Sequence, residues 1–278
     1  VSALFALLAS LAWGASDFLG GTASRRIPAL AVVGASQAIA LVVIVVAALL
    51  TGGFSAPLGY LPWALAAGVV GLGALLAFYA ALAKGTMGVV APIAATSVVI
   101  PIAVGLASGE APSPWQLLGI GVACVGVVLA SGPELRGGGR GGRLPLLLAG
   151  TAAVGFGIVV VLIAHGSRHN VVMTLLTMRA VSVAVVASVA LKLRTDGGVR
   201  KSDVPLLTAI GLGDAGANAL YGFAIRSGML SVVSVLASLY PAVTVVLARY
   251  FHGERMRRIQ DVGVVAALAG VVLIAAGG

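Results

Sequence analysis

The groups best able to do chemistry in this 278-residue chain are ionisable side chains set inside long apolar stretches. Asp214, Asn218 and Tyr221 follow i, i+4, i+7 spacing, so a helix there presents all three on one face. At 1.5 Å per residue Asp214 lies about 15 Å into that helix, near the midplane of a bilayer. Arg179, on the preceding antiparallel helix, lies about 12 Å from the opposite face, which puts an Arg179–Asp214 ion pair within reach. The pair has two readings. It neutralises two costly charges between helices, or one partner holds a substrate carboxylate or ammonium, or takes up a proton. Asp17 follows Trp13 by four residues, so acid and indole share a face. It also falls near the end of its helix, where a carboxylate is expected to reach water, with a place in a binding site as the alternative. Tyr79, Tyr240, Gln37, Thr96, Ser97, Ser234 and Ser238 are further polar groups in apolar runs, expected mostly to bond helix to helix.

Other chemistries find little support. Gly211-Leu-Gly-Asp-Ala-Gly216 fits the dinucleotide fingerprint but lies inside an apolar run, with Leu236 where the acid should be. It is expected to be a face for close helix packing. His165 and His169 have i, i+4 spacing without an accompanying Glu or Cys, so no metal site is expected, and both are placed in a loop at a helix end. No G-x-S-x-G, Walker loop or C-x-x-C occurs, and Cys124 is the only cysteine. The expectation is no enzyme and no cofactor.

These residues need elements to carry them, and the composition says of what kind. Apolar residues make up 60% and charged residues 9%, where a soluble domain has about 45–50% and about 25%. So few charges cannot coat a water-soluble particle. A net charge of +9 does not point to nucleic acid, because the basic residues sit in short breaks between apolar runs. Val1–Ala12 has no basic start of a signal peptide and reads as part of the first span. Ten spans are predicted: Ser2–Gly20, Pro28–Leu50, Pro62–Ala83, Val89–Ala107, Trp115–Ser131, Leu144–Ala164, Val171–Leu191, Pro205–Arg226, Ser231–Ala248 and Ile259–Ala276. Trp63, Trp115 and Tyr60, at or before span starts, are expected in the interfacial belt.

The chain repeats itself. A shift of about 143 residues lays Pro62 on Pro205, Gly68 on Gly211 and Gly73 on Gly216. After one residue of slip, Gly109-Glu110 meets Gly253-Glu254, Gln116 meets Gln260, and Gly126-Val-Val-Leu129 meets Gly270-Val-Val-Leu273. Residues 1–131 and 144–278 read as two five-helix units joined by a Gly/Arg-rich linker, 132–143. Five helices per unit put the second copy into the membrane upside down. The loop charges agree: the loop at 52–61 has no Lys or Arg, while its partner has Lys192, Arg194, Arg200 and Lys201. Pro92, Pro101 and Pro241 interrupt the fourth and ninth spans, which correspond in the repeat, and paired helix breaks point to a midplane site. Fourteen of the 17 Lys and Arg lie in loops on one face, which positive-inside logic makes cytoplasmic, with both termini outside.

On these residues the chain resembles the drug/metabolite transporter superfamily, in particular its EamA-type exporters: Ala12-Trp13-Gly14, Gly109-Glu110, Gly253-Glu254-Arg255, Gln116, Gln260 and the closing Gly-Val-Val-Leu of each unit. The resemblance covers essentially the whole chain; Ala111 departs from it, standing where an Arg usually follows Gly-Glu. It implies an all-α membrane protein of ten helices, as two inverted repeats around a central cavity built from spans one to four and six to nine. Spans five and ten would lie at the periphery, where copies would associate as a homo-oligomer. It also implies termini in the cytoplasm, against the charge count. The function expected is alternating-access export of amino acids or related small metabolites across the cytoplasmic membrane. Sugar uptake, flipping of a lipid-linked metabolite and a non-transporting membrane subunit are the alternatives. The expected partners are a small-molecule substrate and the bilayer, and no nucleic acid.

Overall fold

The computed structural model describes residues 1–85, 87–130, 143–194, 197–252 and 258–277. Residues 132–142 of the linker and the Gly253-Glu254-Arg255 motif lie outside the described residues. The rest is helical: α1 (Ser2–Ala23), α2 (Ala29–Leu50), α3 (Leu61–Lys84), α4 (Met87–Ala95), α5 (Val99–Ala107), α6 (Pro114–Ala130), α7 (Leu144–His169), α8 (Val171–Leu193), α9 (Val204–Ile225), α10 (Leu230–Ala237), α11 (Tyr240–His252) and α12 (Arg258–Ala276). With no water to bond the backbone inside a bilayer, long apolar segments satisfy their N–H and C=O groups internally, as helices. Six stretches among the described residues are long and apolar enough to cross a membrane: four are single helices, one is α3 with the 3-10 turn Leu58–Tyr60 before it, and one is the joined α10–α11. Helix α9 has the length, but its polar residues leave it less apolar than these six.

Two spans are broken, and they are the two that correspond in the repeat. The fourth is α4 and α5 with a 3-10 turn, Thr96–Val98, between them. The ninth is α10 and α11, separated at Ser238 and Leu239. Pro101 and Pro241 have no N–H to offer the carbonyls of Ser97 and Ala237, four residues back, so the ladder fails where each break lies. Pro92 falls within α4 instead, away from the break.

Helix packing follows the repeat. Helix α1 packs on α9 and α11, and its counterpart α7 packs on α3 and α4. Helices α2 and α8, themselves counterparts, pack together, as do α6 and α12. Each contact therefore has an image when the units are exchanged. The last pair explains the recurring Gly-Val-Val-Leu. A Cβ on Gly126 would lie 2.2 Å from the Ala267 nitrogen, and one on Gly270 would lie 2.6 Å from that of Ala123, so only glycine allows this backbone-to-backbone approach.

The Gly-Glu motif also gains a physical role. Gly109 has φ +87°, which favours glycine, and turns the chain so that Glu110 reaches the other unit. Its carboxylate accepts from the backbone N–H of Leu230 and of Ser231 (2.9 Å) and from the Ser231 hydroxyl (2.7 Å), capping the N-terminus of α10. Gln116 forms a capping box with Ser113 at the start of α6: Ser113 N–H donates to its Oε1 (2.9 Å), and its own N–H donates to Ser113 Oγ (3.3 Å).

Some sequence expectations are corrected. Helix α7 continues to His169, so both histidines are helical, and His165 stacks on Trp63 with ring centroids 4.7 Å apart. Tyr60, at the start of α3, is buried against Ala48, Ala64 and Met173. Gly211 and Gly213 do form a packing face: a Cβ on either would strike Ser36 of α2 or Ser16 of α1.

Candidate functional site

Two units packed this way leave a cavity of about 90 Å³ between them. Its polar lining comes from both: Trp13 and Asp17 from α1, Gln37 from α2, Arg179 from α8, and Asp214 and Asn218 from α9. Ser97 and Pro101 line it from one broken span, and Ala237, Ser238 and Tyr240 from the other. Both helix breaks thus open onto the place where the charges gather.

The Arg179–Asp214 pair forms, with Nη2 2.7 Å from Oδ2. Arg179 is 4% exposed, and such a cation in an apolar interior requires a counter-charge. Gln37 joins the two groups across the unit boundary. Its Oε1 accepts from Arg179 Nη1, and its Nε2 lies 3.4 Å from Asp214 Oδ2, a long donor contact. Asn218, one turn along α9, donates to the Asp214 side chain (Oδ1, 3.0 Å) and backbone oxygen (2.7 Å). The amide of Asn218 thereby fixes the carboxylate that Arg179 holds. Arg179 Nε is buried without a hydrogen-bond partner among the described residues.

Below this network lies an aromatic wall. Tyr221 hydroxyl and Ser234 Oγ are 2.8 Å apart, which ties α9 to α10. The Trp13 ring lies 5.7 Å from that of Tyr221 and 6.4 Å from that of Tyr240, the second contact edge-on. Asp17 is the main correction. It is 7% exposed and faces the cavity instead of reaching water. No hydrogen bond or ion pair to Asp17 is found among the described residues.

Asp214, Asn218, Tyr221, Arg179, Trp13 and Asp17, all singled out by spacing, thus meet in one cavity, and of the three prolines Pro101 also lines it. Of the more diffuse polar set, Gln37, Ser97, Ser234, Ser238 and Tyr240 line it too. Thr96 is exposed and bonds the Ile93 carbonyl, and Tyr79 packs on Gly20. Ser182 was not among the polar candidates. It lines the cavity one turn beyond Arg179 and bonds the Gly68 carbonyl at 3.2 Å, and its i+3 position was the available signal.

Comparison with known proteins places this geometry. A search of curated proteins returns no match. Among solved structures 29 chains match. One is a crystal structure that is 19% identical, with a TM-score of 0.75, covering 98% of this chain and 95% of the other, a likeness of fold. The model of the EamA-like transporter family matches residues 1–132 and again 143–276, nearly the whole chain in two copies. With two family units arranged around one charged cavity, the chain belongs to the EamA-like transporter family and is a multi-pass integral membrane transporter.

Proposed function

We propose that this transporter exports amino acids or related small metabolites by alternating access, with the Arg179–Asp214 cavity as its midplane site. One observation carries the reading: a buried, charged, hydrogen-bonded cluster in a cavity shared by both units and bounded by both broken helices. A bare ion-pair strut would suffice to join α8 to α9. It would not need Gln37 from the other unit, or the aromatic contacts of Trp13 with Tyr221 and Tyr240. A solute carboxylate competes with Asp214 for Arg179, and the freed Asp214 lets the units rock apart about α2 and α8. The charged cluster favours an ionic solute over a sugar, which would call for neutral amides and aromatic faces alone.

The test is efflux of a radiolabelled amino-acid mixture from proteoliposomes, with and without a pH gradient, against protein-free vesicles. The reading expects protein-dependent loss that Asp214→Asn abolishes, counted per folded molecule. Equal loss from wild-type, Asp214→Asn and empty vesicles would contradict it.

A further inference from the structure

The charges of the cavity do not balance. Arg179 and Asp214 cancel at 2.7 Å, and Gln37 and Asn218 take up their remaining bonds. Asp17 is buried in the same cavity, and neither a basic side chain nor a hydrogen-bond donor reaches it among the described residues. A carboxylate so placed is left one positive charge short. Its neighbours are suited to supplying the rest of a cation site. Trp13, one turn back on α1, also lines the cavity, and cations are drawn to indole faces. Tyr240 is 8% exposed, and its hydroxyl has no hydrogen-bond partner of good geometry, although Ser97 stands beside it. Asp17, Tyr240 and Ser97 all line this cavity, and each carries an oxygen able to accept a hydrogen bond. Three is the number of donors on a primary ammonium.

We infer that Asp17, Trp13, Tyr240 and Ser97 form a subsite for the protonated primary amine of the transported solute. This rests on the transporter reading above and adds to it the class of solute. An amine alone occupies the Asp17 end. A solute bearing a carboxylate as well reaches toward Arg179 in the same cavity, where it competes with Asp214 for the guanidinium. The two ends together select amphoteric solutes, with the cation end providing the discrimination that the Arg179–Asp214 pair cannot.

Four probes that share an isopentyl group separate these contributions: leucine, isoamylamine, 4-methylvalerate and isoamyl alcohol. Binding is measured on the purified full chain by the shift of its thermal unfolding midpoint in detergent, and flux of the same probes in proteoliposomes. The expected result is binding of leucine and isoamylamine at least about tenfold tighter than of isoamyl alcohol, with the amine preference lost in Asp17→Asn and weakened in Trp13→Leu. The comparison of amine with alcohol needs only the wild-type chain, so it holds even if a variant fails to fold. Equal binding of amine and alcohol, an unchanged preference in Asp17→Asn, or no binding of either amine would each overturn the subsite. Flux of 4-methylvalerate without amine binding would do so while leaving the transporter reading in place. Amine binding lost in Asp17→Asn without flux of any probe would keep the subsite and remove the transport role.

Discussion

Asp214 and Asp17 face one cavity from neighbouring helices and live under opposite conditions. Asp214 is held by Arg179, Asn218 and the amide of Gln37, so nearly every bond it can accept is filled from within the protein. Asp17 is the more deeply buried of the two, with no donor to it among the described residues. A buried charge persists in a fold because it is compensated, or because the stability it costs is offset by function. The first carboxylate is thus compensated from within the protein, and the second is left for the proposed amine to compensate.

Replacing each carboxylate by its amide should separate the two. Asp214→Asn strands Arg179, whose guanidinium cannot shed its proton, and should cost about 3–5 kcal/mol. Arg179→Met should cost less, because Asp214 can take up a proton and become neutral, and the double variant Arg179→Met with Asp214→Leu should recover most of the loss. Denaturation midpoints of the purified variants would show the ranking; a double variant worse than both singles would break the account. Away from the cavity, Gly126→Val forces α6 from α12 where backbones touch and should cost about 1–3 kcal/mol, with flux per folded molecule unchanged. A loss of flux beyond the loss of folded protein would tie that pair to the transport cycle.

Smaller effects sharpen the comparison further. Glu110→Ala removes the cap of α10 and should cost about 1–2 kcal/mol, seen as faster amide exchange at Leu230 and Ser231 than at the core of α9. Asp17→Asn should change stability least, by less than about 1 kcal/mol in either direction, because the Asp17 carboxyl group has no partner within the protein to lose. A large destabilisation by Asp17→Asn would make the two carboxylates alike and erase the distinction.

Much of this site could be read from spacing, because a helix converts spacing into direction. Asp214, Asn218 and Tyr221 share a face by their period, and Arg179 meets them by depth alone. The paired breaks followed from Pro101 and Pro241, whose missing N–H groups act locally whatever surrounds them. What remained hidden depended on where helices end and on contacts across the unit boundary. A first span closed at Gly20 puts Asp17 at the water, whereas α1 runs on to Ala23 and keeps it inside. Gln37 lies 142 residues from Arg179, and no local period could join them. The Gly-Glu motif marked the family but not its own work, since the cap it forms is on a helix of the other unit.

The central claim is that the cavity between the two units is the path of the solute, reached from each side in turn. Ala237 lines that cavity at the break of the ninth span and is 2% exposed. In a chain carrying Cys124→Ala and Ala237→Cys, the most direct measurement is the rate of modification by a membrane-impermeant thiol reagent added to either side of sealed proteoliposomes. The account predicts modification from both sides, slowed by transported solute. Modification from one side only, or from neither, would contradict it.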